Sequence, residues 1–320
     1  MLLVVFWAVI FDLLNPREDP TLSNWTRLIL VAAALAFSPH ARASTLYFSD
    51  AGASKIYRSN LDGTGSTAFV PAGTAGGYGI DLDLANSRLF FAASGANAID
   101  KVNLDGSGMT GVVLGLSAMP RGVALDLAGG RMYWTQDDGK IMRANLNGTG
   151  VTTFVSGLSL PTDVQLDVAG GFAYWTDYTT KKIQKANLSG TTVVSDVVTG
   201  LNGPEGLALD LVNGRIYFTE WDTPAVRRVS LAGGAVTALV SATGGANEIV
   251  IDLAGGNMYW AQSSNGTIHR ATLAGGGDTA IVTSLTSNYG MAIDAPSPVP
   301  EPAPLLLVGA AAALLLVRRR

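Results

Sequence analysis

The stretch "GVALDLAGGRMYWTQDDGKIMRANLNGTG", Gly122 to Gly150, decides the fold. It holds two short apolar or aromatic runs separated by a Gly-Gly turn. An alternating run with a basic residue follows, and then an Asn-Gly hairpin signal. "GVALD" and "RMYWT" read as strands, "KIMRANL" as a third, and the hairpin turns the chain into a fourth, "TTFVSG". The first two strands lack one-sided alternation, so both of their faces should be covered.

The same order of features recurs along the chain. Aromatic pairs stand at Tyr47-Phe48, Phe90-Phe91, Tyr133-Trp134, Tyr174-Trp175, Tyr217-Phe218 and Tyr259-Trp260, and their first members lie 43, 43, 41, 43 and 42 residues apart. An aspartate precedes each pair after the first by seven residues: Asp83, Asp126, Asp167, Asp210 and Asp252. Arg58, Lys101, Arg143, Lys185, Arg228 and Arg270 follow at matching positions. Four strands per repeat of about 42 residues is the mark of a propeller blade. The first copy starts at the aromatic strand, "LYFSD", and the last ends on "GMAID" at Asp294. Together these fragments complete one blade. The expectation is an all-β, six-bladed propeller of four-stranded blades over residues 44–295, closed by its terminal strands.

"YWTD" at Tyr174 to Asp177, with "YWTQ", "YFTE", "YWAQ" and "YFSD" in sister copies, resembles the YWTD, or LDL-receptor class B, repeat. The resemblance spans about Leu46 to Asp294. It implies that Tyr174, Trp175, Thr176 and Asp177 frame the blade through packing and hydrogen bonds. Ala93, Gln136 and Gln262 depart from the acidic fourth position, which puts that hydrogen bond in question in three copies. The cysteine-rich modules that flank the animal receptors are absent, so their receptor roles are not carried over.

The two ends read as addresses, each expected to hold a short hydrophobic helix. Residues 1–43 form an N-terminal extension and a secretory signal: Arg27, an apolar run from Leu28 to Phe37, then Ala41-Arg42-Ala43. The upstream "MLLVVFWAVIFDLLNPREDP" lacks a basic start; initiation at Leu22 would restore the pattern. Residues 296–320 form a Pro-rich spacer, an apolar run from Leu305 to Val317, and Arg318, Arg319 and Arg320. As a helix that run would be roughly 20 Å long, against a hydrocarbon core of about 30 Å, so it is marginal as a permanent span. Its arginines would stay cytoplasmic and the rest would face outward. Val299-Pro300-Glu301-Pro302, the apolar run and the arginines closely resemble the PEP-CTERM tail. That resemblance implies an exosortase-type sorting partner, a transient membrane anchor, and a place at the cell surface or in the extracellular matrix of a Gram-negative bacterium.

Composition limits the chemistry. The 320 residues carry a formal net charge of -4, 14% charged residues, 38 glycines and no cysteine. Disulfides, thiolate metal sites and cysteine nucleophiles are thereby excluded, and a mildly acidic chain without internal basic runs does not suit nucleic acid. No G-x-S-x-G, H-E-x-x-H or Walker loop is present. His269, the one histidine of the expected mature chain, reads as a blade-surface residue. "DGTG" and "DGSG" (Asp62 to Gly65, Asp105 to Gly108) read as turns rather than calcium loops, lacking a closing glutamate. Asn147-Gly148-Thr149 falls in the same hairpin position and is assigned no glycan. The repeated Asp and Arg or Lys positions should meet a need shared by every blade.

Function is expected where the copies disagree. Turns such as "LAGG" and "LDGTG" are nearly uniform, whereas loops on the opposite face vary widely. One variable position lies just before each inner strand: Tyr78, Arg121, Thr162, Glu205, Asn247 and Tyr289. The register puts all six around the mouth of the central channel, with Asp163 and Glu248 beside them and Tyr178, Trp221 and Asp222 on the outer loops. These eleven residues are the candidate ligand or partner site; a hydrated plug or loop-packing set is the plain alternative. The leading expectation is a non-enzymatic module, without cofactor, that binds extracellular polysaccharide or a surface protein. The alternative is a hydrolase or lyase of the lactonase or streptogramin-lyase kind, holding a divalent ion through Glu205, Asn247, Glu248 and Asp163. A purely structural spacer is the third reading.

Overall fold

The computed structural model describes residues 44–70, 76–189 and 193–294. Both expected terminal helices, the signal segment and the sorting tail lie outside the described residues. Among the described residues no helix is long and apolar enough to cross a membrane.

The described chain forms 24 strands, numbered β1 to β24, in six antiparallel four-stranded sheets. The inner strands are β4 (Gly77–Asp83), β8 (Pro120–Asp126), β12 (Pro161–Asp167), β16 (Pro204–Asp210), β20 (Ala246–Asp252) and β24 (Asn288–Asp294). Each touches the next, from β4 round to β24 and back, so they ring a central axis. The last inner strand, β24, pairs with the first strand of the chain, β1 (Thr45–Asp50), Thr45 opposite Asp294. The six-bladed propeller and its closure across the two chain ends are therefore as the repeats imply.

The aromatic pair explains how the blades stack. Adjacent residues of a strand point to opposite faces of the sheet, so the two rings of a pair enter different inter-blade cores. Tyr47 shares a core with Phe91, Phe90 with Trp134, and Tyr133 with Trp175. Tyr174 then meets Phe218, Tyr217 meets Trp260, and Tyr259 meets Phe48. Six cores thus form from one repeated dipeptide, and no blade could bury both rings alone.

The repeated aspartates close turns within their own blade. Asp126 Oδ1 accepts the Gly129 amide at 2.7 Å, and Asp167, Asp210 and Asp252 do the same three residues on. The turn then needs a left-handed residue, Gly130 at φ +67°. Ser87 adopts φ +52° in the copy that lacks this glycine. Asp62 and Asp105 spend their carboxylates on the hydroxyl and amide of Thr64 and Ser107 in the hairpins. The repeated cations mostly lie over rings of their own blade, as Lys185 does 5.0 Å above Phe172. Arg58, over Phe69, also reaches Leu104 O of the next blade at 3.1 Å.

Candidate functional site at the channel mouth

The six variable positions are the second residues of the inner strands, not residues just before them. A β-bulge makes the difference. In β16, Pro204 pairs with Glu220 and Leu207 with Phe218, so Glu205 and Gly206 oppose Thr219 alone. All six inner strands skip register in this way. A bulge leaves one residue outside the ladder and re-aims it. Here the first bulge residue is turned to the channel end, where Tyr78, Arg121, Thr162, Glu205, Asn247 and Tyr289 line one funnel.

The residue opposite each bulge is the third of the YWTD signature. Its hydroxyl accepts the amide of the second bulge residue: Gly122 N at Thr135 Oγ1 (2.9 Å), Asp163 N at Thr176 Oγ1 (3.1 Å), Gly206 N at Thr219 Oγ1 (2.9 Å) and Gly290 N at Ser49 Oγ (2.9 Å). The same hydroxyls donate across to the next bulge, Thr135 to Thr162 O and Thr219 to Asn247 O. A framework residue therefore fixes the position of the mouth. Ala92 and Ala261 supply no hydroxyl in their two blades.

The fourth signature position anchors the loop that enters the inner strand. Asp177 accepts the Ser159, Leu160 and Thr180 amides, and Asp50 accepts those of Thr286, Ser287 and Ala53. Gln136 serves the same loop with opposite polarity, donating from Nε2 to Ala118 O at 2.9 Å. Gln262 makes long contacts through Oε1 and leaves Nε2 buried without a partner among the described residues.

The second bulge residue is Gly79, Gly122, Gly206 or Gly290 in four blades because neighbouring bulges nearly touch. A Cβ on Gly290 would lie 2.0 Å from Tyr78 O, and one on Gly206 2.7 Å from Glu248 Cα. Asp163 and Glu248 occupy this position in the other two blades and are buried, at 4% and 9% exposure. Asp163 accepts Val164 N at 2.7 Å and, in the next blade, Leu207 N at 2.9 Å. Glu248 is hydrogen-bonded to Asp163 across Gly206.

Burial is the main cause that raises the acids here. It lifts Asp163 to about 7, and backbone hydrogen bonds offset part of the rise. Glu248 is pushed well above its ordinary value, first by burial and then by the Asp163 charge. The pair therefore shares a proton near neutrality, with Glu248 the donor. Burial also takes Glu205 to about 7, against the pull of Arg121.

Across the ring from Asp163 and Glu205, and beside Glu248, stands an aromatic pair. Tyr78 and Tyr289 stack at 4.2 Å with planes 20° apart. Arg121 lies 5.5 Å over Tyr78 and is ion-paired with Asp137. Burial, followed by the Tyr289 phenol, raises Tyr78 to about 12, so its hydroxyl stays protonated.

Eight of the eleven expected residues thus meet in one small funnel, with a cavity of about 30 Å³. Tyr178, Trp221 and Asp222 stand apart from its lining. Tyr178 Oη donates to Asp222 Oδ1 at 2.6 Å, Lys181 lies 3.5 Å from Asp222, and the Trp221 ring covers Gly245. Sequence reasoning missed two participants. Asp137 holds Arg121, and Asp81 lies on β4, where sister strands carry Ala124, Ala208 or Ala292. Asp81 accepts Leu125 N of the next blade at 2.8 Å, and burial raises it to about 6. Its oddity among the copies was the available signal. His269 is paired with Asp278 Oδ1 at 2.7 Å and stacked on Trp260, on an outer strand. Among the described residues, no three Asp, Glu, His or Cys side chains cluster closely enough to hold a metal ion between them.

No family model matches the chain, and no curated protein matches it. Solved structures do. A chain of a nidogen–laminin complex is similar with a TM-score of 0.70 at 22% identity, over 78% of this chain and 98% of that one. A gluconolactonase of Xanthomonas campestris is similar with a TM-score of 0.57 at 16% identity, over 67% and 78% of the two chains. The virginiamycin B lyase of Staphylococcus aureus gives 0.58 at 18% identity, over 77% and 84%. At these identities the likeness is one of fold, the six-bladed β-propeller built of repeated blades.

Proposed function

We propose that this chain is an exported, non-enzymatic binding propeller that takes part of a matrix polysaccharide or surface protein into its channel mouth. The observation that carries the reading is convergence: the positions at which the copies disagree are the bulge residues, and they line one funnel. Its cavity, about 30 Å³, lies far below the roughly 300–1,000 Å³ of pockets that enclose whole drug-sized ligands. A cavity that small admits a water or the tip of one group, so a polymer would lie across the mouth, with Tyr178, Trp221 and Asp222 as rim contacts. The nidogen–laminin neighbour is compatible with a binding role, and a secretory leader and sorting tail, as proposed from the sequence, would put the partner outside the inner membrane. Titrating the protein with extracellular polysaccharide from the cells that produce it should show saturable binding. Tyr289→Ala and Trp221→Ala should weaken it, and an absence of binding to every matrix component would defeat the reading.

Sorting by an exosortase-type enzyme predicts a mature C-terminus near Val299 to Pro302. Mass spectrometry of the exported protein should find it; a retained Arg318-Arg319-Arg320 end would argue for a plain anchor.

One observation favours a second reading, a hydrolase or lyase. Asp163 and Glu248 form a buried carboxyl pair that shares a proton, which suits general acid–base work. The gluconolactonase and virginiamycin B lyase neighbours agree with it in fold. Equilibrium dialysis with Ca²⁺, Mg²⁺ and Mn²⁺ decides its metal-dependent form: one ion per chain, lost on Glu248→Gln, would support it.

A further inference from the structure

We propose that the face of the propeller opposite the mouth lies against a phospholipid bilayer, with its ring of exposed leucines and valines in the headgroup boundary. The proposal is separate from what the mouth binds and rests on reading residues 305–317 as a membrane anchor. The residue that follows each inner strand is Leu84, Leu127, Val168, Leu211 or Leu253 in five blades. Because the inner strands ring the axis, these five surround the far end of the channel. Leu127, Val168 and Leu211 are 45%, 41% and 45% exposed, and Val212, beside Leu211, is 74% exposed. The turns do not require apolar side chains there, since Asp126, Asp167 and Asp210 close them through their carboxylates. A polar residue would serve an exposed turn equally well. An apolar one in all five blades calls for an apolar cover.

The place where the chain leaves the propeller identifies that cover. Asp294, the last described residue, ends β24 on this same face, opposite Thr45 at the start of β1. Ten residues, 295–304, separate it from the apolar run that begins at Leu305. Fully extended they span at most about 36 Å. A run placed in a bilayer therefore keeps the ring close to the lipid. A tether this short gives the ring an effective concentration on the order of millimolar, so a contact too small to hold a free protein becomes occupied. The charges agree with this orientation. β9 (Arg131–Gln136) and β17 (Arg215–Glu220) each begin with an arginine, which sets guanidinium groups near Leu127 and Leu211 for phosphate oxygens to accept from. Asp126 and Asp210 in the same turns are buried. The mouth instead gathers Asp163, Glu205 and Glu248, acids that a phosphate-bearing surface does not attract. Anchored in this way, the protein holds its mouth away from the membrane.

The chain has no cysteine, so single introduced cysteines can carry an environment-sensitive dye. Leu127→Cys and Val212→Cys mark the ring, and Thr179→Cys marks the loop after Asp177 on the mouth side; all three positions are exposed. The labelled full chain is reconstituted in vesicles of phosphatidylcholine and phosphatidylglycerol, and flotation checks that its tail holds it there. Dyes on the ring should be quenched by lipids spin-labelled near the headgroup and shielded several-fold from aqueous iodide, whereas the mouth-side dye should respond as in water. Leu211→Ser with Val212→Ser should reduce the shielding at the Leu127→Cys dye without changing flotation. A chain that floats while its ring dyes stay open to iodide would overturn the inference and leave the anchor standing. A chain that does not float would overturn both. Shielding from iodide without quenching by the labelled lipids would mean that protein covers the ring, as the chain's own apolar run or as a second copy, and would overturn the assignment to lipid. Equal quenching of ring and mouth-side dyes would overturn the orientation.

Discussion

Phe48 and Tyr259 come from opposite ends of the repeat array yet share one buried core with Leu46, Ile268 and Met291. Every other core joins two blades that follow each other along the chain. This one joins the last blade to the first, and with the β1–β24 pairing it closes the ring. Phe48→Ala should therefore act as more than one lost side chain. The direct cost is about 3–5 kcal/mol, as for other buried aromatics. Urea unfolding should show that loss, and limited proteolysis should show first cleavage near the seam at Thr45 and Asp294. An equal effect from Phe90→Ala on cleavage at the seam would contradict the special role of closure.

The threonine of the signature links fold to site, so its removal should be felt at the mouth. Thr176→Val keeps the shape and deletes the hydroxyl that accepts Asp163 N. Leaving a buried amide without an acceptor costs about 1–3 kcal/mol. The same change in a blade built on alanine does not arise, since Ala92 and Ala261 already lack the hydroxyl. Thr176→Val should lower stability by that amount and also weaken ligand binding, because Asp163 and Glu205 both depend on the hydroxyl. A full stability loss with unchanged binding would show that the bulge keeps its shape without it.

Much of this arrangement was legible in the sequence, for a definite physical reason. Stacked blades must each solve the same packing problem, so Tyr133-Trp134 and its counterparts recur and reveal the period. The closure was readable because "LYFSD" and "GMAID" are complementary halves of one unit. The bulge was not readable. No residue type marks it, since its second position is glycine in four blades but Asp163 and Glu248 in two. Periodicity therefore placed Tyr78 or Glu205 one step outside the strand that holds it. Long-range side-chain partners were also hidden. The pairing of Arg121 with Asp137, and of Tyr178 with Asp222, depends on loops from different strands or blades meeting at the rim.

Among the described residues Arg121 is the positive group that lines the funnel, and Asp137 holds it beside Tyr78. Its charge lowers the pKa of Glu205 against the effect of burial. Arg121→Gln should therefore move the titration of the Glu205 carboxyl upward, as followed by carbon NMR of the labelled side chain. The shift should shrink with added salt. An unchanged titration would mean that the Arg121 charge is spent wholly on Asp137.

Stability should depend on pH in the direction set by the raised acids. Glu205 and Asp163 stand at about 7 in the folded chain, above ordinary values of 4.5 and 3.8, and Asp81 stands at about 6. In each case the folded state holds the proton more tightly, so the stabilisation is complete below the ordinary value. It is lost as pH rises through the folded value. The groups facing this cluster are Glu248, Asp222, Asp137, Arg121, Tyr78 and Tyr289, and all but Arg121 are acids or neutral phenols. The hairpin and turn aspartates, Asp62, Asp83 and Asp105, are lowered and act the other way, but only at pH below about their ordinary 3.8. Between pH 5 and pH 8 the channel acids should therefore dominate, and the melting temperature should fall as pH rises. Glu205→Gln together with Glu248→Gln should flatten the profile and raise the melting temperature at pH 8. A melting temperature that climbs from pH 5 to pH 8 in the native chain would show that the funnel acids are ionised at no cost, through a partner such as a bound cation.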